Sequence, residues 1–262
     1  MPAEYKDIGV SLAGHVATIE IRRPPYNYFD HALIAQLTSA FDAMSADDEC
    51  RAIVLAAEGK AFCAGADFAT TPDIVNAPRK PGIIDKPLYK EAVRLFRNRK
   101  AVVAAVHGAA IGGGLGLALV ADFRVTCTEA RFSANFSKLG FHPGFGLTIT
   151  LPRLVGVQQS SLLFFTGRRI SGDEAVEIGL ADVLVEQDKV REAAVALATE
   201  IAASAPLAVQ STRDTLRRGL ADEIESATER ELSEQQWQMQ TLDSQEGIRA
   251  MAERRPPRFV GG

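Results

Sequence analysis

The chain has 262 residues and a net charge of −4. Hydrophobic residues at 47% and charged residues at 24% are an ordinary globular balance, which excludes disordered and collagen-like chains. With no basic excess, nucleic acid is not an expected partner. Three cysteines, Cys50, Cys63 and Cys127, stand far apart with no CxxC pair, which argues against a disulfide framework or a metal site and predicts a reducing, cytoplasmic setting.

Residues 1–7 carry acidic side chains and no apolar core, so no signal peptide is expected. Residues 7–12 and 15–22 alternate around Ala13-Gly14 and predict a hairpin, stopped by Arg22-Arg23-Pro24-Pro25. Asp30 is placed to cap a helix with the buried stripe Leu33, Leu37, Phe41 and Met44. The run 52–57 is apolar throughout, as a strand buried on both faces should be. Residues 70–86 hold Pro72, Pro78, Pro81 and Gly82 without periodicity and predict a loop. A helix is predicted over 88–99, with Lys90, Arg94 and Arg97 on one face. Residues 101–121 carry no charge, but five glycines interrupt them. Glycine costs about 1 kcal/mol per helical site, so the expectation is strand, glycine loop and short buried helix, with no membrane span. Strands are further predicted at 123–126 and 180–185. Beyond Asp188 the chain reads as helical, with Leu216, Leu220, Ile224 and Leu232 on one face. This order predicts an α/β core over 1–190 and a helical C-terminal region over 191–262.

Two small-residue segments follow predicted buried strands: Phe62-Cys-Ala-Gly-Ala-Asp-Phe68 and His107-Gly-Ala-Ala-Ile-Gly-Gly-Gly-Leu-Gly116. Ligands in open α/β sheets collect at the carboxyl ends of strands, and small residues there let a ligand approach main-chain N–H groups. Two such amides converging on one carbonyl oxygen make an oxyanion hole; the alternative is a pair of tight turns that merely pack closely. The phosphate-loop, GxGxxG and GxSxG patterns are all missing from the sequence.

The segments 60–68 and 106–116 resemble the two signatures of the enoyl-CoA hydratase/isomerase (crotonase) family. So do Ala121-Asp-Phe-Arg124, Leu139-Gly-Phe-His-Pro-Gly144, Leu151-Pro-Arg-Leu-Val-Gly156, Phe165-Thr-Gly167 and 246–254. The resemblance covers nearly the whole chain in order. It implies a spiral of ββα turns and a C-terminal helical region that forms a homotrimer or a dimer of trimers. It implies lyase or isomerase chemistry on an acyl-CoA thioester, with no cofactor beyond the coenzyme A of the substrate. By the family pattern the amides of Ala66 and Gly113 hold the thioester oxygen as it becomes an enolate. Arg23 to Asn27, Ala64, Asp67 and Phe68 fall where the family lines its CoA channel, Gly112 joins the substrate-binding residues, and Phe259 falls where the family touches a neighbouring subunit's CoA.

The sequence departs from the pattern at its proton-transfer positions. The two glutamates of hydratases are replaced by Gly116 and Phe136, and a third acidic position used by some isomerases is Gly144. General acid–base groups contribute about 10²–10⁴-fold each, so efficient hydration is not expected. Phe136, with Phe132 and Phe141 nearby, instead predicts an apolar acyl pocket in place of a water-handling one. His142 is the candidate proton carrier, its alternative being a histidine packed in the turn before Pro143. Asp73, Asp85, Tyr89 and Glu91 are further candidates if the proline-rich segment closes over the site. Cys63 has no activating base nearby in sequence and reads as packing.

Overall fold

The computed structural model describes residues 5–68 and 86–262. Strands β1 (Ile8–Ala13) and β2 (Val16–Ile21) form the predicted hairpin. Gly14 and His15 both take positive φ, 56° and 66°, and a two-residue turn of that kind matches the twist of the flanking strands. Helix α1 (His31–Ala46) starts where Asp30 accepts the Leu33 N–H at 2.9 Å. Its buried stripe is Leu33, Ile34, Leu37 and Phe41, with Met44 only partly covered.

From there the chain repeats one unit. A strand enters a large sheet, a short strand enters a small sheet, and a helix returns. The units are β3 (Ala52–Ala57), β4 (Ala61–Cys63) and α2 (Lys86–Phe96); then β5 (Ala101–Val106), β6 (Ala109–Ile111) and α3 (Gly113–Ala118); then β7 (Phe123–Thr126), β8 (Arg131–Ser133) and α4 (Leu147–Thr166). A 3₁₀ turn, Asn135–Leu139, precedes α4. The strand β9 (Arg169–Ser171), the helix α5 (Gly172–Glu177) and the strand β10 (Val183–Leu184) complete the sheets. Their orders are β1-β2-β3-β5-β7-β10 and β4-β6-β8-β9, parallel except for the β1–β2 and β8–β9 pairs. All six residues of β3 and of β5 are buried, as parallel strands covered on both faces require. This is the expected spiral of ββα turns. The uncharged run 101–121 spans β5, β6 and α3 and ends three residues past α3. Among the described residues no single helix is long and apolar enough to cross a membrane.

Two local expectations need correction. Only Val183–Leu184 of the predicted strand 180–185 pairs with β7, because Leu180 and Ala181 turn back to bond the Ala175 carbonyl. The helical face running through Leu216 is broken at Gly219, whose φ is 78°. Leu216 ends α7 (Pro206–Leu216) and is exposed, whereas Leu220, Ile224 and Leu232 lie on the buried side of α8 (Leu220–Gln238). Helix α6 (Val190–Ala203) follows the expected boundary at residue 190. It packs on β3, β5 and β7 through Val190, Ala194, Ala198 and Ala202, so it covers the sheet and is part of the core. Helix α8 packs on α2 and α4, and α9 (Leu242–Ala252) on the 3₁₀ turn.

The segment 121–124 is structural. Arg124, almost fully buried, donates to the carbonyls of Leu180, Ala121 and Asp122 and to Asp182. Asp122 accepts from the Val102 N–H at 2.8 Å, Arg213 at 2.7 Å and Arg217 at 2.6 Å. Burial alone would raise the Asp122 carboxyl, but the two guanidiniums outweigh it and hold it below the usual carboxylate range. A depressed folded pKa contributes stability that is present above the unfolded value, about 3.9, and is lost as pH falls through the folded value. Asp122→Asn is therefore expected to cost about 3–5 kcal/mol at neutral pH, because two arginines lose their counter-charge. It should also flatten the acid loss of stability, which urea unfolding of both proteins between pH 6 and 3 measures.

Candidate active site

The ends of β4 and β6 lie side by side in the small sheet and deliver the two glycine segments to one cavity of about 850 Å³. Gly65 has φ 86°, and a Cβ there would lie 2.8 Å from the Ile111 carbonyl and 3.8 Å from the Gly113 nitrogen. Any side chain at 65 would push the two segments apart. Ala66 forms a parallel bridge with Phe29, in which the Phe29 N–H bonds the Gly65 carbonyl at 3.0 Å. In a parallel bridge the flanking groups bond the partner strand, so the N–H of Ala66 itself is turned to the other side. Gly113 opens α3, and a first-turn N–H has no acceptor within its own helix.

Of the expected site residues, Ala64, Ala66, Asp67, Phe68, Gly112, Gly113 and Phe136 line this cavity together. Phe136 packs edge-on to Phe141, centroids 6.0 Å apart, and Phe141 tilts against Phe68 at 5.6 Å. Phe68 and Phe136 line the cavity with Phe29, Leu88 and Leu139 as an apolar wall, and Phe141 packs behind them.

Other expected residues lie elsewhere. Arg23 is paired with Asp7 at 2.8 Å and Asp30 at 2.9 Å. Asn27 is fully buried and ties its segment to the Glu58 and Ala61 carbonyls at 2.6 and 2.7 Å; the neighbouring Tyr26 and Tyr28 reach the wall instead. Gly116 is buried beneath Phe145, where a Cβ would lie 2.8 Å from the Phe145 Cβ. His142 and Phe259 share a separate depression with Trp237. The His142 ring is held at 2.8 Å by the Pro143 carbonyl, the turn arrangement left open as its alternative. Glu91 pairs with Arg94, which also meets Asp42, and Arg97 with Asp222 and Glu225. Burial pushes the Cys63 thiol up to about 12, consistent with a packing role. Asp73 and Asp85 lie outside the described residues.

The sequence reading did not select several wall residues. Asn135, beside Phe136, and Phe145, between two glycines, line the cavity. Phe145 is buried at φ 64°, and its ring packs against Phe29 at 5.5 Å with Gly113 between them. Non-glycine residues in this conformation are uncommon and concentrate at functional sites. Arg169 and Arg254 stand on the exposed rim, with no ion pair among the described residues. Only the Gly-Phe-Gly spacing at 144–146 was a visible signal. The rim arginines come from β9 and the end of α9, far apart in sequence.

The fold defines an α/β spiral protein with a cavity between two backbone segments of successive turns. The enoyl-CoA hydratase/isomerase family matches residues 12–262. A short-chain-enoyl-CoA hydratase of Clostridium acetobutylicum is 34% identical over 86% of this chain and 86% of its own length. A crotonyl-CoA hydratase of Syntrophomonas wolfei is 30% identical over 98% of each. The crystal structure of an enoyl-CoA hydratase/isomerase from Pseudoalteromonas atlantica T6c superposes with a TM-score of 0.86 at 28% identity, covering 97% of this chain and all of that one. The chain belongs to the enoyl-CoA hydratase/isomerase, or crotonase, family.

Proposed function

We propose that this protein binds acyl-CoA thioesters and stabilises their enolates between the main-chain N–H groups of Ala66 and Gly113. One observation carries the reading: the segments bearing these amides touch at Gly65 and Ile111 on one cavity wall, and neither amide is committed to its own secondary structure. Two fixed donors aimed at a developing negative oxygen are worth about 3–4 kcal/mol each when one is removed. Arg169 and Arg254 at the rim, without an ion pair among the described residues, suit the phosphates of coenzyme A, and the phenylalanine wall suits a hydrocarbon acyl group.

No carboxylate stands at positions 116, 136 or 144, and the aromatic ring of Phe145 fills the space beside Gly116. The reaction is therefore an enolate step, such as isomerisation, whose proton comes from the substrate or from solvent. It needs no cofactor beyond the coenzyme A of the substrate. Tight binding with almost no turnover is the second reading, and the Phe145 plug favours it. A panel of saturated, 2-enoyl and 3-enoyl thioesters separates the two. Micromolar binding with product from any enoyl ester supports the enzyme, binding without product supports the binding protein, and no binding removes both.

The proposal includes a cytoplasmic homotrimer or dimer of trimers. Exposed apolar side chains on α4, Val157 at 73% and Phe165 at 80%, need cover that the single chain does not provide. Sedimentation equilibrium reads the mass directly.

A further inference from the structure

Asn135 opens the 3₁₀ turn that follows β8, and it lines the cavity with a carboxamide that has no hydrogen bond among the described residues. Its neighbours fix where that head group sits. The Ser133 carbonyl accepts the Gly112 N–H at 2.8 Å, and the Ser133 hydroxyl donates to the Arg168 carbonyl at 3.0 Å. Gly167, at φ 54°, lies so close that a Cβ there would be 3.3 Å from the Asn135 Cα. The end of β8 thus ties the glycine segment, the start of the turn and the entry to β9 into one frame.

Within that frame the carboxamide faces Gly112. This glycine has φ 57°. Apart from chain neighbours, the place its Cβ would take meets the Asn135 carboxamide oxygen at 3.4 Å and the Phe136 ring at 3.7 Å, and otherwise opens on the cavity. The peptide bond leaving Gly112 carries the Gly113 N–H, so the Asn135 head group and that N–H border the same space. Neither end of the carboxamide is engaged, and a half-turn about its last side-chain bond presents NH₂ in place of oxygen. A carbonyl oxygen arriving there can only accept, which selects the NH₂. The Phe136 ring gives the space an apolar side, and a hydrogen bond is stronger where the local dielectric is low.

We infer that Asn135 is a catalytic residue, a third donor to the thioester oxygen that joins the two main-chain amides as the enolate charge develops. The inference rests on the enolate reading and adds a side chain to it. A donor held in place beforehand costs no reorganisation when the charge appears. Isotope-edited infrared spectra of bound butyryl-CoA, carrying ¹³C at its carbonyl, read the hydrogen bonds to that oxygen without any need for turnover. The wild type is compared with Asn135→Leu and Asn135→Val, which fill the space but donate nothing. The carbonyl frequency is expected to fall when the ester binds the wild type. It should fall less in both variants, with dissociation constants within about tenfold of the wild type. Turnover of the best ester of the panel is expected to drop about 10²-fold in Asn135→Leu, with KM little changed. A merely structural role would weaken binding and leave the carbonyl frequency of the bound ester as it is in the wild type. An unchanged frequency in either folded variant overturns the inference, while the two-amide reading stands. No fall in frequency on the wild type overturns both, and failure of the ester to bind removes the acyl-CoA reading as well.

Discussion

Turnover is expected to fall by about 10²–10³-fold when Gly113 is replaced by proline in a chain that also carries Phe29→Leu, with thioester binding largely retained. The second change is needed for steric reasons. Any Cβ at Gly113 would run into the ring of Phe29, which is itself packed on Phe145. Proline suits the first position of a helix because the N–H it lacks has no helical acceptor there, so α3 should survive. What disappears is the donor. Phe29→Leu alone is the control, and it should keep most of its activity. Single-turnover rates with the best ester of the panel, set beside its dissociation constant, give the comparison. If the double variant turns over as fast as the control, the Gly113 amide does not hold the oxygen.

Crotonyl-CoA hydration by the wild-type protein is expected to be at least about 10⁴-fold slower than in a family member with both glutamates, since each acid–base group contributes about 10²–10⁴. That corresponds to roughly 5–10 kcal/mol of barrier for the pair. Restoring Gly116→Glu and Phe136→Glu together is not expected to recover the activity. At 116 the new side chain would meet the Phe145 Cβ and Cδ1, both 2.8 Å from its own Cβ. Overpacking of this kind typically costs about 1–3 kcal/mol, and Phe136→Glu adds a buried charge without a partner. Adding Phe145→Gly clears the ring and also suits the positive φ at that position. The triple variant is the one expected to gain hydration. Chromatography follows the reaction, reading both substrate loss and hydroxyester formation. Rapid hydration by the unmodified chain would show that the missing carboxylates do not limit it.

The sequence alone determined the ladder of the fold and the identity of the two amide-bearing segments. Apolar runs such as 52–57 and 101–106, short and apolar throughout, read as strands buried on both faces, and Asp30 marks its helix start by local hydrogen bonding. The glycines of the two segments were legible for a similar reason: close backbone approach leaves few other residues possible. These are short-range demands, set by a residue and its immediate neighbours. The helix break at Gly219 and the short β10 were misread because apolar periodicity carries across a turn that glycine and tertiary packing interrupt.

What only the tertiary structure decided is which side chains share a wall. Arg23 and Asn27 sit beside a site segment in sequence, yet ion pairs and main-chain bonds hold them in structural roles. His142 lies two residues from Gly144, but its ring turns to the Pro143 carbonyl, outside the main cavity. Tyr89 and Phe145 come together from α2 and from the segment before α4. One fills the space a side chain at 144 would need, and the other the space at 116. An empty position in a sequence says nothing about what occupies it. In a close-packed interior another part of the chain takes that volume, and only the fold shows which part.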